Sequence, residues 1–167
     1  ILYLRLKHYL NSNSKKRSKK NIHHHYDLGN EFYKSWLDET MTYSSAIFKT
    51  KTQSLELAQI NKYKNLAELI DVKPGDKILE VGCGWGGFSE FLATTYKAKV
   101  TAITISKNQF LAVKSKIEKK HLKEQVDVKL IDYRDLNGKF DKIVSIEMFE
   151  AVGFRYWGIF FKKLYEN

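Results

Sequence analysis

The sequence predicts an α/β protein built on a doubly wound, mostly parallel sheet. Four short apolar runs alternate with helix-like segments, and turn-rich junctions separate them. A glycine cluster follows directly on the first run, at Lys77 to Gly87, KILEVGCGWGG. With 43% apolar and 14% aromatic residues in 167, the chain has material for one ordinary core. Four strands are fewer than such a fold completes, and the chain runs from Ile1 to Asn167 with a helix-like segment at its end. An internal piece of a longer protein, incomplete at its C-terminus, is therefore expected.

In chain order, Ile1 to Leu10 has near-helical apolar spacing and reads as the end of a preceding region, followed by the basic, apolar-free NSNSKKRSKKN of residues 11–21. Residues 1–21 are thus assigned to an N-terminal region plus linker, and 22–167 to the main domain. Ile22 to Lys49 is the most aromatic stretch, with Tyr26, Phe32, Tyr33, Trp36, Tyr43 and Phe48 expected mainly to pack. His23, His24 and His25 are consecutive, which does not set two imidazoles on one helical face, so no metal site is expected. The adjacent hydroxyls of Tyr43, Ser44 and Ser45 suit a polar ligand better than a core. Lys51 to Asp71 reads as an amphipathic helix through Leu55, Leu57, Ala58, Ile60, Leu66, Ala67, Leu69 and Ile70, ending before Lys73-Pro74-Gly75. Then come the first strand and its loop, a helix over Phe88–Tyr96, a strand over Lys99–Ile105 and a helix from Lys107 to about Lys120. A strand over Val126–Ile131, a loop to Gly138, a strand over Lys142–Ile146 and an aromatic helix, YWGIFFKKLY, complete the chain.

Gly82, Gly84 and Gly87 satisfy G-x-G-x-x-G between a strand and a helix, a pattern shared by dinucleotide enzymes, methyltransferases and chance turns. A dinucleotide site places an acid at the end of the second strand to hold a ribose, and that strand here ends ITIS without one. No Gly-Lys-Ser/Thr follows the glycines, which excludes a P-loop. S-adenosylmethionine is the remaining common ligand of such a loop. The lone Cys83 cannot form an internal disulfide, and between two glycines it reads as a small packing residue rather than a nucleophile. The net charge of +10 favours an anionic partner, a membrane surface or nucleic acid, although a lysine-rich composition alone produces the same number. No apolar run approaches the roughly 18 to 20 residues of a membrane span.

YDLGNEFYKSWLDETMTYSSAIF, LEVGCGWGGFSEFLA, TAITISKNQ, DYRDL, FDKIVSIEMFEAVG and RYW, in this order and at these intervals, resemble the cyclopropane-fatty-acyl-phospholipid synthases and the related mycolic acid cyclopropane synthases. The resemblance covers the chain from about Ile22 onward. It implies a Rossmann-like class I methyltransferase fold and the addition of a methylene, derived from the methyl of S-adenosylmethionine, across a cis double bond of an unsaturated phospholipid acyl chain. It implies cofactor contacts from Tyr43, Ser44, Gly82, Gly84, Thr104, Ser106, Gln109, Tyr133 and Arg134. A bound bicarbonate is implied as the base, held by Glu150 and by groups at the Tyr43 turn. Ser45 stands where the family often has Cys, and Ala151 where it commonly has His after the Glu. The implied protein is cytoplasmic and peripheral to the inner face of the membrane, with a homodimer left open and no nucleic-acid partner. The competing readings are a related methyltransferase acting on a small amine or another lipid, a non-catalytic cofactor-binding fragment, and, on charge alone, a nucleic-acid methyltransferase.

Overall fold

The computed structural model describes Ser14, Lys15, Arg17, Ser18 and residues 29–167. The expected helix at Ile1–Leu10 and the three consecutive histidines lie outside the described residues. Strands β1 (Lys77–Val81), β2 (Lys99–Thr104), β3 (Val126–Leu130) and β4 (Lys142–Val144) form one sheet in the order β3-β2-β1-β4. Every pairing is parallel, with Leu79 opposite Thr101 and Ile143, and Ala102 opposite Val128. The predicted fold class is thus the observed one.

Central position explains the composition of β1. It is covered on both faces, so Ile78, Leu79, Glu80 and Val81 are all buried, as parallel strands between helical layers require. The alternation of the pleat splits the core in two. Ile78 and Val100 point to the side packed by Tyr63, Ala67, Phe88, Leu92, Val113 and Ile117. Leu79, Val81 and Ile103 point to the other, against Leu136, Val152 and Phe160.

A short helix α1 (Gly29–Lys34) and the long α2 (Leu55–Leu69) precede the sheet, followed by α3 (Gly87–Tyr96) and α4 (Lys107–Lys119) between strands and α5 (Trp157–Tyr165) after β4. Serine hydroxyls open two of them: Ser54 accepts from the Leu57 amide and Ser106 from the Gln109 amide, each satisfying a donor that the first helical turn leaves unpaired. Helix α2 differs from its sequence pattern. Leu57 and Leu69 are exposed, whereas the face turned inward carries Ala58, Gln59, Lys62, Tyr63 and Ala67.

Strands β2, β3 and β4 stop one or two residues earlier than their apolar runs do. The apolar tails Ile105, Ile131 and Ile146 instead line a cavity at the carboxyl ends of the strands, where open α/β sheets bind ligands. Of the expected aromatics among the described residues, Tyr33 alone is buried. Phe32, Trp36, Tyr43 and Phe48 are about half exposed.

Candidate active site

The loop after β1 is the floor of the cavity. The amides of Gly82 and Cys83 both donate to the Ile103 carbonyl at 3.0 Å, which clamps the loop to the end of β2. Gly82 has φ +81° and a Cβ there would lie 2.7 Å from Met148 Cγ, so only glycine fits. Gly84, at φ +53°, faces open space and lines the cavity. The third motif glycine, Gly87, serves packing: a Cβ would meet the Tyr63 hydroxyl at 2.4 Å. Gly86, outside the motif, supplies the left-handed N-cap of α3.

The cavity encloses about 650 Å³, within the range of small-molecule sites. Tyr43, Ser44, Gly82, Gly84, Thr104, Gln109, Tyr133 and Arg134, all expected as cofactor contacts, line it together. At the end of β2, Thr104 Oγ1 donates to Gln109 Oε1 at 2.8 Å and accepts the Ser106 amide at 3.1 Å. Ser106 itself is buried and off the cavity wall. Its hydroxyl is committed to capping α4.

Across the cavity, Arg134 forks onto Asp132 with Nε to Oδ1 at 2.7 Å and Nη2 to Oδ2 at 2.6 Å. The Arg134 guanidinium lies over the rings of Tyr133 and Tyr156 at 5.3 and 5.5 Å. Burial pushes the Asp132 carboxyl up, but the Arg134 hydrogen bonds and charge outweigh it and hold the group below its ordinary value. Arg134 also donates to Ser18 Oγ at 3.0 Å. Ser18 belongs to the stretch read as a linker, yet it is buried and lines the cavity.

The hydroxyl turn is held from beneath. Gln59 donates to the Ser44 carbonyl at 2.8 Å, and Lys62 donates to Ser44 Oγ and, at 2.7 Å, to the Ser45 carbonyl. Burial lowers Lys62 to about 8, against the pull of the Glu147 and Asp38 charges. Ser45 does not line the large cavity. Its amide and hydroxyl both donate to Glu147 Oε1, the amide at 2.9 Å, and these bonds, with Lys62 nearby, hold the Glu147 carboxyl below its ordinary value although partial desolvation opposes them.

Glu150 is placed differently from its neighbours. In a 3-10 turn over Phe149–Ala151, it is exposed like Glu147 and Ala151, but unlike Glu147, Met148, Ala151 and Val152 it is not on the cavity wall. The sequence reading missed Glu147, Lys62, Asp132 and Ser18. For Lys62 a signal existed, since Ala58 and Lys62, like Gln59 and Tyr63, are four residues apart on one helical face. Cys83 is buried in the core, and burial raises its thiol well above the ordinary range, as a packing residue requires. Among the described residues no three His, Cys, Asp or Glu side chains cluster as a metal site would need, and no helix is long and apolar enough to cross a membrane.

A parallel sheet in this order, a glycine loop after β1 and a carboxylate-free polar end on β2 define a domain with the class I methyltransferase fold. The profile of the mycolic acid cyclopropane synthetase family matches residues 13–167, and the chain belongs to that family. It is 41% identical over 156 residues to the "Probable fatty acid methyltransferase" of Pseudomonas putida, covering 92% of this chain and 40% of that protein. It is 40% identical over 157 residues to the "Cyclopropane-fatty-acyl-phospholipid synthase" of Escherichia coli K12, covering 94% and 40%. Among solved structures, mycolic acid cyclopropane synthase CmaA1 complexed with SAH and CTAB superposes with a TM-score of 0.85 at 33% identity, over 88% of this chain and 52% of that one. The chain therefore spans about 40% of the length of these curated relatives.

Proposed function

We propose that the protein transfers a methyl group from S-adenosylmethionine to the double bond of an unsaturated phospholipid acyl chain and closes it to a cyclopropane, at a membrane surface. The observation that carries this reading is a pair of cavities with a common wall. Beside the large cavity lies a second of about 440 Å³, lined by Trp36, Leu37, Leu55, Ser45 and Gln59, and both are bounded by Thr42, Tyr43, Ser44 and Glu147. The larger suits a nucleoside-like cofactor, and the second sets Trp36, Leu37 and Leu55 beside the polar Thr42, Ser44, Ser45, Gln59 and Glu147.

The residues present fit S-adenosylmethionine. Gly82 and Gly84 leave a cradle without side chains for close approach to the backbone. Thr104 and Gln109 offer polar groups to a ribose without the acid that a dinucleotide site uses. Tyr133 and Arg134 flank the opposite end, and Tyr43 and Ser44 close the wall toward the second cavity. When bound, this cofactor supplies an electrophilic methyl group on a sulfonium.

An isolated alkene is a poor nucleophile, so the chain's contribution is alignment and the exclusion of water. Val81, Phe88, Ile103, Ile131, Ile146, Met148 and Val152 give the cavity its apolar lining. Lys62 and Gln59 keep the Tyr43–Ser45 turn rigid from behind. The Arg134–Asp132 fork fixes the far wall.

Expression of the full-length protein in a host rich in unsaturated phospholipids tests this. Mass spectrometry is expected to show acyl chains heavier by one CH2, with cyclopropane protons in the NMR spectrum of the purified lipid. An unchanged lipid profile, with S-adenosylhomocysteine binding intact by calorimetry, overturns it in favour of another acceptor such as a small amine. A methyl or methylene branch in place of the ring overturns the cyclopropane step alone.

A further inference from the structure

Helix α5 and the turn before it carry aromatic rings on a side that the core does not use. Phe160 faces inward, packed with Leu79 and Leu136. Phe154, Trp157, Phe161 and Tyr165 recur at the spacing of one helical stripe. Phe154 is 81% and Tyr165 93% exposed, Phe161 more than half and Trp157 more than a third. The rings are contiguous as well: the centroids of Phe154 and Trp157 are 5.1 Å apart, and Phe149 lies 4.9 Å from Trp157 and 5.0 Å from Phe161. Single apolar side chains are ordinary on a surface, whereas a connected patch of this kind marks a contact with another phase or molecule. We infer that this stripe is the surface by which the protein docks on an anionic phospholipid bilayer, its rings lying in the boundary between headgroups and acyl chains. The inference rests on the proposed lipid substrate and adds where the bilayer meets the protein.

Charge selects the partner. The segment carries Arg155, Lys162 and Lys163 against Glu150 and Glu166, and Lys139 reaches its end by donating to the Glu166 carbonyl at 2.8 Å. Glu166 lies 3.8 Å from Lys162, so the pairing leaves a cationic excess around the stripe. A second copy seated on it about a two-fold axis would bring that excess together from both sides. Anionic headgroups neutralise it. Lys162 follows Phe161 and is largely exposed, and its stem can lie along the rings while the ammonium stays at the headgroups. Trp157 and Tyr165 are the ring types that settle at a bilayer–water boundary.

Position agrees with this use. Phe149, whose ring joins Trp157 and Phe161, directly follows Met148 and shares its short turn with Ala151, and both of these line the large cavity together with Val152. The stripe therefore starts at the cavity wall, and an acyl chain leaving the bilayer there has a short, largely apolar path to the site.

The test mixes full-length protein with vesicles of equal parts unsaturated phosphatidylcholine and phosphatidylglycerol and reads the bound fraction by sedimentation. Phe154→Ser combined with Phe161→Ser is expected to lower vesicle affinity about tenfold to a hundredfold, with the thermal midpoint and S-adenosylhomocysteine affinity unchanged. Lys162→Glu is expected to weaken binding severalfold on these vesicles and to leave binding to pure phosphatidylcholine as it was. Phosphatidylcholine brominated on its acyl chains is expected to quench the native emission, and Trp157→Phe to remove that quenching while Trp36→Phe retains it. Native vesicle affinity in the double variant overturns the inference, and so does quenching that is lost with Trp36 instead. A double variant that loses thermal stability yet keeps its vesicle affinity assigns the stripe to another part of the chain, and a dimer that the same variant disperses assigns it to a second copy; either overturns the bilayer as partner. Should the double variant fail to fold, the two tryptophan variants decide. Stripe-dependent binding by a protein that forms no heavier lipid overturns the proposed function and leaves the docking surface in place.

Discussion

Lys62, on the buried face of α2, holds the carbonyl oxygen of Ser45 at 2.7 Å. A cation has been placed under a turn of hydroxyls, and burial brings its ammonium down from 10.5 to about 8. Between these two values the unfolded chain binds more protons at this position than the folded one, so stability at this position rises with pH through that window. Native protein is therefore expected to gain stability relative to Lys62→Met between about pH 8 and about pH 10.5, as read by urea denaturation at several pH values. A constant difference between the two proteins counts against a buried ammonium at this position.

Ser106 and Gln109 are neighbours with separable duties. Ser106→Ala removes the cap of α4 and is expected to cost about 1 kcal/mol of stability while leaving S-adenosylhomocysteine affinity nearly unchanged. Gln109→Ala removes a polar group from the cavity wall and is expected to weaken that ligand about tenfold, the worth of one good hydrogen bond. Calorimetry and thermal denaturation of the same two variants separate the roles. Equal losses of affinity would make Ser106 a ligand contact after all.

Glu80 carries the opposite sign from Lys62. Burial raises its carboxyl from 4.5 to about 7, against hydrogen bonds from Ser89 and the charge of Lys116. Between those values the folded state holds a proton that the unfolded chain has released, so this group's contribution falls as pH rises. Glu80→Gln keeps an acceptor for Ser89 and is expected to flatten the decline in stability from about pH 4.5 to about pH 7. Denaturation curves that stay parallel to native across that range would place the ionised carboxylate in a better-solvated setting than the structure describes.

The sheet was legible because its signal is local. Each strand is a short apolar run bounded by turn residues, and Leu79 and Val81 are apolar on a face that only a parallel, doubly covered strand buries. The glycine loop was legible for the same reason, except that Gly86 rather than Gly87 takes the left-handed turn. The carboxylate at the common wall was not legible. Glu147 and Glu150 are three residues apart in FDKIVSIEMFEAVG, and the sequence alone offers nothing to say which of them faces inward. That is decided by the exit of the chain from β4, where Ser145 Oγ donates to the Val81 carbonyl at 3.0 Å and Met148 packs under Gly82. Lys62 and Ser18 were hidden by composition, since a lysine in a helix and a serine in a basic stretch read as solvated. Each is held by residues distant in the chain: Ser44 and Ser45 bond Lys62, and Arg134 bonds Ser18.

Trp85 lies in the glycine loop itself, 4% exposed, with its indole nitrogen donating to Asn30 Oδ1 at 2.9 Å and its ring centroid 4.7 Å from that of Tyr33. The other two tryptophans, Trp36 and Trp157, are 47% and 39% exposed and emit from a wetter setting. A buried indole on the cavity wall gives the protein an intrinsic optical reporter, whose emission follows the filling of the cavity without a label and separately from any turnover assay.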